Sequence, residues 1–394
     1  MKYTQFTIAG SLLAATLASG TAQSSEPLTV WEKEVPGEEE DALKVAEELI
    51  AQIKTDTVNK GMRAFRDAHP RGIGCVAAKF TVDPSLPLKY QTGIFATPGK
   101  EYDSLIRFSS SLGPVGDNVK DARGMAIKVF GVPGKKLLAD QADATTQDFI
   151  QINATTFPAR DAKEFAGIVS IKTNPINAVK FLLERPILRA REIKALLGLS
   201  SGNPDNGKSL ADHQFFSQVS YLLKGPQINS PIKFTTRPCG PTEEMSLDGS
   251  ESELRNDLQA RLAKGNLCYE FAMQFYAEGQ GLTVEDGMNE WKEAFVPFVK
   301  FATVIIPKQT FLTDEKLHYC DALSMHPWHA LPEHRPLGNL NRTRKIVYNI
   351  ISDFRHTQNN ESSLRKEPVD LTEWNSFKST AYKEWDAVTI PVAE

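Results

Sequence analysis

The spacing of hydrophobic and polar positions changes along this chain, and the order of the changes predicts the class of fold. Alternation with a two-residue period, typical of strands, predicts strands at 73–82, 104–109, 124–130 and 148–153. Apolar positions then recur with the helical period at 162–171, 175–183 and 187–197. Strand patterns return at 231–236, 267–276 and 298–306, and a long helix containing Tyr348 follows. This order of strands, helices, strands and helix indicates an α+β fold.

Two further segments complete the pattern. A helix is predicted at 38–54, because three glutamates occupy its first turn and an apolar stripe follows at helical spacing. We expect this helix to form an arm that packs on the core or on another subunit. The segment 213–223 is interpreted as a further helix or a lid.

The N-terminus has the composition of a secretory signal peptide at 1–22. Lys2 provides the positive charge, an apolar stretch follows from Phe6 to Ala18, and small residues precede a cleavage site after Ala22. The apolar stretch is shorter than the roughly 20 residues that span a bilayer, so no stable membrane insertion is expected. The sequence predicts an exported protein, which would be periplasmic in a Gram-negative organism.

The remaining sequence divides into a polar linker at 23–36, a core at 37–358 and a C-terminal tail segment at 359–394. The chain has 394 residues, of which 41% are hydrophobic and 24% charged, and its net charge is −4. These values are typical of a globular protein. The absence of any basic block in the sequence argues against a nucleic-acid partner.

The four cysteines are Cys75, Cys239, Cys268 and Cys320. They are too few for a disulfide-based scaffold and too widely spaced for a zinc or iron–sulfur motif. After export one pair could oxidise, and Cys239 and Cys268 are the nearest in sequence. Four unpaired buried thiols are an equally good interpretation of the sequence.

Arg344, Tyr348 and Arg355 occupy positions i, i+4 and i+11, which lie on one face of a helix. Guanidinium groups on both sides of a tyrosine favour its phenolate form, and a phenolate can bind ferric iron. The alternative is a surface helix with scattered arginines and a half-buried tyrosine. The spacing alone does not decide between them.

Other segments of the chain resemble the haem catalase superfamily. Arg66–Gly74 reads R-x2-H-x2-G-x-G and is similar to the strand that carries the distal histidine of that family. Arg107–Ser109 and Asp121–Lys128 match its R-F-S and D-x-R-G-x-A-x-K segments, and Asp286–Trp291 resembles its D-x-T-x-x-W element. Tyr348 falls at the position of the family's proximal tyrosine, with arginines at the same offsets.

The resemblance implies an antiparallel β-barrel haem-catalase core with helices packed around it, and haem as the cofactor, with haem b expected. Tyr348 would be the iron ligand, supported by Arg344. His69 would be the catalytic acid and base, with Ser109 hydrogen-bonded to its ring. The haem carboxylates would be bound by three arginines, Arg66, Arg107 and Arg355.

One position departs from the family. Where the resemblance places a distal asparagine that orients hydrogen peroxide, this chain has Thr145, which we predict as a catalytic residue in that place. The residue before the histidine is Ala68, smaller than the usual valine. Both changes favour a wider pocket with weaker positioning of hydrogen peroxide, as expected for relatives that act on lipid hydroperoxides.

The leading hypothesis is therefore a haem-dependent oxidoreductase that decomposes hydrogen peroxide. One alternative keeps the haem but takes an organic hydroperoxide, as a peroxidase, peroxygenase or isomerase. An alternative of another class is an exported haem-binding protein without turnover. Assembly into a homo-oligomer is left open. His326, His329 and His334 offer a second metal site or another axial ligand, although the prolines among them favour a rigid loop.

Overall fold

The computed structural model describes residues 27–66, 68–111, 115–173, 183, 186–241 and 247–379. Its strands are β1 (Arg71–Val82), β2 (Glu101–Ser110), β3 (Arg123–Phe130), β4 (Thr146–Ile152), β5 (Phe215–Phe216), β6 (Tyr221–Gly225), β7 (Ile228–Pro238), β8 (Leu267–Phe275) and β9 (Val299–Ile306). Its α-helices are α1 (Glu38–Asp56), α2 (Ala162–Thr173), α3 (Pro186–Leu199), α4 (Glu253–Lys264), α5 (Asp314–Ala322), α6 (Asn339–Gln358) and α7 (Thr372–Ser376).

The strands form a closed antiparallel barrel. Its order is β1-β2-β3-β4-β5-β7-β8-β9, and β1 pairs with β9 to complete the ring. The remaining strand, β6, extends the sheet as a hairpin with β7. Closure leaves no unpaired edge among the eight ring strands, which protects them from pairing with another chain. The predicted α+β fold with an antiparallel barrel and surrounding helices is confirmed.

Phenylalanine side chains fill the barrel. Phe149 of β4 packs against Phe80, Phe234 and Phe271, with ring centroids 6.0, 5.3 and 4.8 Å away. Each of these aromatic rings is almost completely buried. Burial of a phenylalanine contributes roughly 1.5–3 kcal/mol, and aromatic pairs at these distances contribute more. The alternation of apolar residues along β3 and β4 therefore points one side of each strand into the barrel.

Outside the barrel, α6 packs against α1 and α2. A small apolar cluster joins them, with Val45, Leu49 and Ile53 of α1 against Val347 and Ile351 of α6. The apolar stripe of α1 is thus buried on the core, as predicted for the arm. This contact anchors α6, and Val347 and Ile351 also border the cavity next to Tyr348, so the packed face and the cavity face of α6 are adjacent.

Most predicted strands lie within one or two residues of the observed ones, but three elements differ. The segment 213–223 is neither a helix nor a lid, because it contributes β5 and the start of β6 to the sheet. Helices α4 and α5 were not predicted, since their apolar stripes are weak and several charged residues in them are buried. The predicted helix at 175–183 lies outside the described residues except for its last position.

The segments on either side of the predicted core also pack on it. In the expected linker, Glu32 is buried and pairs with Arg335 and Arg342 at 3.1 and 2.8 Å. In the expected tail, Trp374 is buried and its ring centroid lies 5.9 Å from that of Tyr319. The structure therefore integrates 27–36 and 359–379 with the core, whereas the predicted signal peptide lies outside the described residues.

All four cysteines are paired. Cys239 is bonded to Cys268, the pair nearest in sequence, and Cys75 of β1 is bonded to Cys320 of α5. The second pair links residues 245 positions apart and ties the last turn of α5 to the barrel. The interpretation with four free thiols is wrong for this structure.

Within the described ranges, no helix combines the length and the hydrophobicity needed to cross a membrane.

Candidate functional site

A cavity of about 990 Å³, counting its opening to solvent, lies between the outer wall of the barrel and α6. One side is lined by residues of β2, β3 and β4, and the other by residues of α6 and of the two segments that flank it. The lining brings together His69, Arg66, Arg107, Ser109, Tyr348 and Arg355. Residues far apart in sequence thus meet at one site, as predicted from the sequence.

His69 precedes β1 and has a φ angle of +57°, a conformation that few non-glycine residues adopt. Arg107 donates a hydrogen bond of 3.0 Å to the His69 carbonyl, and the imidazole Nδ1 lies 3.2 Å from the Ser109 hydroxyl. Burial and the nearby guanidinium groups of Arg107 and Arg123 lower the His69 pKa to about 3. The imidazole is therefore neutral at physiological pH and can accept a proton.

Gly124 makes room for this histidine. A Cβ atom at residue 124 would lie 2.7 Å from the His69 Nδ1 and 2.6 Å from the Ser109 Oγ. Gly124 and Ser109 are cross-strand partners on β3 and β2. The glycine of the Asp121–Lys128 motif thus has a steric reason, because no larger residue allows the ring to lie against the barrel wall.

Tyr348 lies on the face of α6 that borders the cavity. Arg344, one helical turn earlier, donates a hydrogen bond of 3.1 Å to the Tyr348 hydroxyl, and its guanidinium lies 5.1 Å from the Tyr348 ring centroid. The same guanidinium contacts Asn341 and, at 3.5 Å, the Tyr221 hydroxyl. Burial alone would lower the Arg344 pKa, but the interactions of Arg344 with the Tyr348 and Tyr221 hydroxyl groups outweigh burial and raise it. Arg344 is thus a permanent cation beside the phenol.

Three arginines meet at one edge of the cavity, next to the last turn of α5. Arg66 donates a hydrogen bond of 2.9 Å to the Asp321 carbonyl and another to the Leu323 carbonyl. Arg355 also donates to the Asp321 carbonyl, and the Arg107 guanidinium lies 4.0 Å from the Asp321 carboxylate. The three guanidinium groups thus concentrate positive charge at this edge of the cavity.

A buried polar cluster forms the far end of the barrel-side wall. Lys128 of β3 lies 2.8 Å from Asp148 of β4 and 2.6 Å from Glu367. Thr146 donates to Glu367 at 2.7 Å and lies 2.6 Å from the His329 Nε2. Burial raises the Asp148 pKa to about 7, although Lys128 acts against the shift. Charge-assisted hydrogen bonds link Lys128 to the two carboxylates of this cluster, as buried charges require.

The structure does not bring Thr145 to the cavity. Thr145 is exposed just before β4, and its carbonyl accepts a hydrogen bond of 2.8 Å from the Val132 amide. Gly124, which touches His69, pairs with Ile152 at the opposite end of β4. Since a strand rises about 3.4 Å per residue, some 20 Å separate these two ends. The expected place of Thr145 beside His69 is therefore wrong.

The sequence reasoning missed several cavity residues, notably Gln141, Met325, Arg365 and Glu367. Gln141 lies in a short 3-10 helix between β3 and β4, and Arg365 and Glu367 follow α6. None of them belongs to a motif with recognisable spacing. Lys128 belongs to the Asp121–Lys128 motif. Its place four residues after Gly124, on the same face of β3, was the only signal in the sequence for the polar cluster.

The histidine-rich loop does not form a metal site. His326 accepts a hydrogen bond from the Trp328 amide, His329 contacts Thr146, and the His334 Nε2 accepts one from the Ile94 amide at 3.1 Å. Across the ranges that the structure describes, no three metal-ligating side chains gather around one point. His326 is nonetheless close to the site, because its ring centroid lies 5.4 Å from that of Tyr348.

Solved catalases share this fold. A fungal catalase matches with a TM-score of 0.61 and 17% identity, over 83% of this chain and 70% of that one. Catalase A from Saccharomyces cerevisiae matches with a TM-score of 0.57 and 16% identity, over 86% and 75% of the two chains. A bacterial catalase matches with a TM-score of 0.60 and 16% identity, over 97% and 70%.

At these identities the likeness establishes the fold, and the chain has the catalase fold. No protein-family model and no curated protein sequence matches the chain. The catalase-like architecture predicted from the short motifs is thus confirmed by structure, while the roles of the individual site residues stay predictions.

Proposed function

We propose that this chain is a haem-dependent oxidoreductase that consumes peroxide, with hydrogen peroxide as the first candidate substrate. The observation that supports it most is the joint presence of His69, Ser109 and Tyr348 on one cavity, with Arg344 hydrogen-bonded to Tyr348. A neutral imidazole on one wall and an arginine-supported phenol on the other form the pair of groups that this chemistry needs.

The side chains that line the cavity are of the types that a haem group needs. Its lining is largely apolar, as a porphyrin requires, with alanine, valine, isoleucine and methionine side chains from both walls. Tyr348 would ligate the iron through its phenol oxygen, and Arg66, Arg107 and Arg355 would bind the two carboxylates. When bound, the haem would supply the redox-active iron at which the peroxide O–O bond is cleaved.

The protein's own contribution is proton transfer and orientation. With Ser109 accepting from the Nδ1–H of His69, the Nε2 lone pair is available to take a proton from the peroxide. The low pKa of His69 makes the resulting imidazolium a strong acid, so it can return that proton to the departing oxygen. Ser109 and Gly124 hold the ring in the orientation that this exchange needs.

An organic hydroperoxide is the second candidate substrate. The lining near His69 includes the small residues Ala68, Gly124 and Ala126. Moreover, Thr145 lies outside the cavity, so it offers no hydrogen bond that would hold a second hydrogen peroxide molecule. These features favour a larger substrate and weaken the case for efficient dismutation.

Two assays on the haem-loaded protein separate the candidates. Oxygen evolution from hydrogen peroxide reports dismutation, and the loss of cumene hydroperoxide reports organic substrates. His69→Ala should retain haem and lose most turnover with either substrate, because it removes the proton acceptor. Unchanged turnover in this variant would remove His69 from the mechanism. Haem binding without turnover by the native protein would favour a passive haem carrier instead.

We also propose that the protein is exported. The signal-like residues 1–22 support this, and so do the two disulfide bonds, because disulfides persist in oxidising compartments. Proteolytic removal of the leader in a bacterial host, seen as a mass loss after fractionation, tests it. Retention of the full-length chain in the cytosol would contradict it.

A further inference from the structure

Glu367 presents an unusual carboxylate to the cavity. It follows α6, in a segment that packs back on the barrel, and both it and Arg365 line the same cavity as His69 and Tyr348. Its side chain is almost fully buried. In the described chain, each hydrogen-bond donor to Glu367 binds the same oxygen, Oε2: the Lys128 ammonium at 2.6 Å and the Thr146 hydroxyl at 2.7 Å.

The neighbours of Glu367 hold it in one orientation. Lys128 is itself fixed by Asp148, and the Thr146 hydroxyl also lies 2.6 Å from His329, whose Nδ1 lies 2.9 Å from Gln141. Burial raises the Glu367 pKa, but the Lys128 ammonium outweighs this effect and lowers it, which favours the ionised carboxylate. Lys128 and Thr146 thus hold the carboxylate through Oε2, and Oε1 is the second acceptor of a side chain that lines the cavity.

The position of this acceptor is defined by the sheet. Gly124, Ala126 and Lys128 point to the same outer face of β3, because side chains alternate along a strand. The ring of His69 lies against Gly124, and Glu367 binds Lys128, which is about 14 Å further along at 3.4 Å per residue. Glu367 and His69 thus stand at opposite ends of one wall, with the small Ala126 between them.

We propose that Oε1 of Glu367 accepts a hydrogen bond from the O–H group of a phenolic reductant, which would bind at the end of the wall opposite His69. This inference rests on the proposed function, which it extends by a substrate-positioning residue. An anionic carboxylate disfavours a second anion, so a neutral hydroxyl suits the position better than a fatty-acid carboxylate. A hydrogen bond to a charged acceptor contributes enough to select such a group.

A phenolic reductant would complete a balanced peroxidase reaction. Two phenol molecules each lose one electron and one proton, and the peroxide O–O bond accepts both pairs to give an alcohol and water. The side of the cavity near Glu367 is the side at which such a molecule can enter, because Arg365 and its partners Asp140 and Asp353 are partly exposed there.

The first test is equilibrium binding, which does not depend on turnover. Calorimetric titration of the haem-loaded protein with phenol, anisole and tert-butyl hydroperoxide compares an aromatic O–H, the same ring without an O–H, and a hydroperoxide. We expect Glu367→Gln to weaken the binding of phenol about tenfold, the size expected for a hydrogen bond to a charged group. Anisole binding should not change.

The matched control is Asp353→Asn, which removes a negative charge near the cavity opening but leaves Glu367 in place. It should leave phenol binding within twofold of the native value. Glu367→Asp, which keeps a charge for Lys128 but withdraws the second oxygen, should behave like Glu367→Gln and serves if the amide variant is unstable. Haem content and melting temperature verify that each variant is folded.

The outcomes distinguish phenol from the hydroperoxide as the ligand of Glu367, and they distinguish failure of this inference from failure of the proposed function. Weaker phenol binding with unchanged hydroperoxide binding supports the inference, and weaker hydroperoxide binding alone overturns it. If neither ligand responds to either variant of Glu367, the inference is overturned. Failure of the proposed function would show differently, as native protein that binds these ligands but does not consume peroxide.

Discussion

The two faces of the β3–β4 wall differ in a way that explains how this chain combines a stable barrel with a reactive site. The inner face presents Met125, Ile127, Val129 and Phe149 to the apolar core. The outer face presents Gly124 to His69 and places Lys128 against Asp148, and it borders the cavity. Adjacent residues of one strand thus belong to two different chemical environments.

The inner face is stabilised by contacts among strands. In each of these strands, side chains alternate between the two faces, so the sequence of the strand itself indicates which residues point inward. The outer face depends on partners that come from distant parts of the chain, such as Glu367 for Lys128 and His69 for Gly124. Apolar packing tolerates many sequences, whereas a buried charge is stable only with its specific partners. The outer face should therefore be the more sensitive one to changes of charge and pH.

Mild acid should have the largest effect. Burial lowers the pKa of His213, His329 and His356 to about 4 and that of His334 to about 3. Below pH 6.5 the unfolded chain binds these protons and the folded chain does not, so stability falls as the pH falls. At pH 5 the unfolded chain is mostly protonated at these four positions and the folded chain is mostly not, so each histidine contributes to the loss.

The raised pKa of Asp148 acts in the opposite direction and offsets part of this loss, because the folded chain then binds a proton that the unfolded chain does not. Urea unfolding at pH 7 and pH 5 measures the net change in the free energy of unfolding. We expect a clearly lower midpoint at pH 5. Equal midpoints would mean that the buried histidines are protonated without loss of structure.

Truncation on the inner face should have the next largest effect. Phe149→Ala removes a ring that contacts three other aromatic rings, and such a change in a core costs about 3–5 kcal/mol. Ile150→Ala, the matched change on the outer face, should cost less, because Ile150 is only half-buried at the cavity. Guanidinium unfolding of both variants tests the comparison, and equal losses would contradict it.

Removal of the buried cation on the outer face should have a somewhat smaller effect. Lys128→Met leaves Asp148 and Glu367 without their ammonium partner, which we expect to cost about 3 kcal/mol, since the two carboxylates can share a proton. Lys79→Met is the control, because Lys79 of β1 pairs with exposed acids at the surface. A loss below 1 kcal/mol for Lys128→Met would show that the cluster is not coupled to folding.

The smallest effect on stability is expected for Gly124→Ala, although its effect on activity should be large. The added Cβ would clash with the ring of His69 and with Ser109, so the ring must move. We expect a stability loss of about 1–2 kcal/mol and at least a tenfold loss of peroxide turnover. Gly198→Ala adds a Cβ in open space within α3, so it should leave turnover unchanged and should not lower stability. Full activity of Gly124→Ala would refute the steric role of this glycine.

The same comparison explains what the sequence could predict. Alternating apolar positions predicted β1 to β4 because each strand carries its own pattern, and the spacing of Arg344, Tyr348 and Arg355 defined one helix face. The segment 213–223 was misassigned because its strands are short and gain their stability from β7. Local patterns contain no information on such distant pairing.

The candidate site was predictable only where its residues lie in compact motifs. His69, Arg107 and Tyr348 were found in this way, and the structure brings them to one cavity. Thr145 was misplaced because it lies in a loop, and matching a loop to the family's motif depends on the length of that loop. Glu367 was missed because the segment after the helix of Tyr348 contains no recognisable motif. Folding, rather than sequence spacing, brings Glu367 to Lys128.

The central claim is that Tyr348 and His69 face the two sides of one bound haem. The most direct measurement is the optical spectrum of the purified ferric protein, native and Tyr348→Phe, each titrated with haem. We predict that the native protein binds one haem with the high-spin spectrum of phenolate ligation, and that Tyr348→Phe binds haem weakly or with a different spectrum. Identical spectra and identical haem affinity in the two proteins would contradict the account.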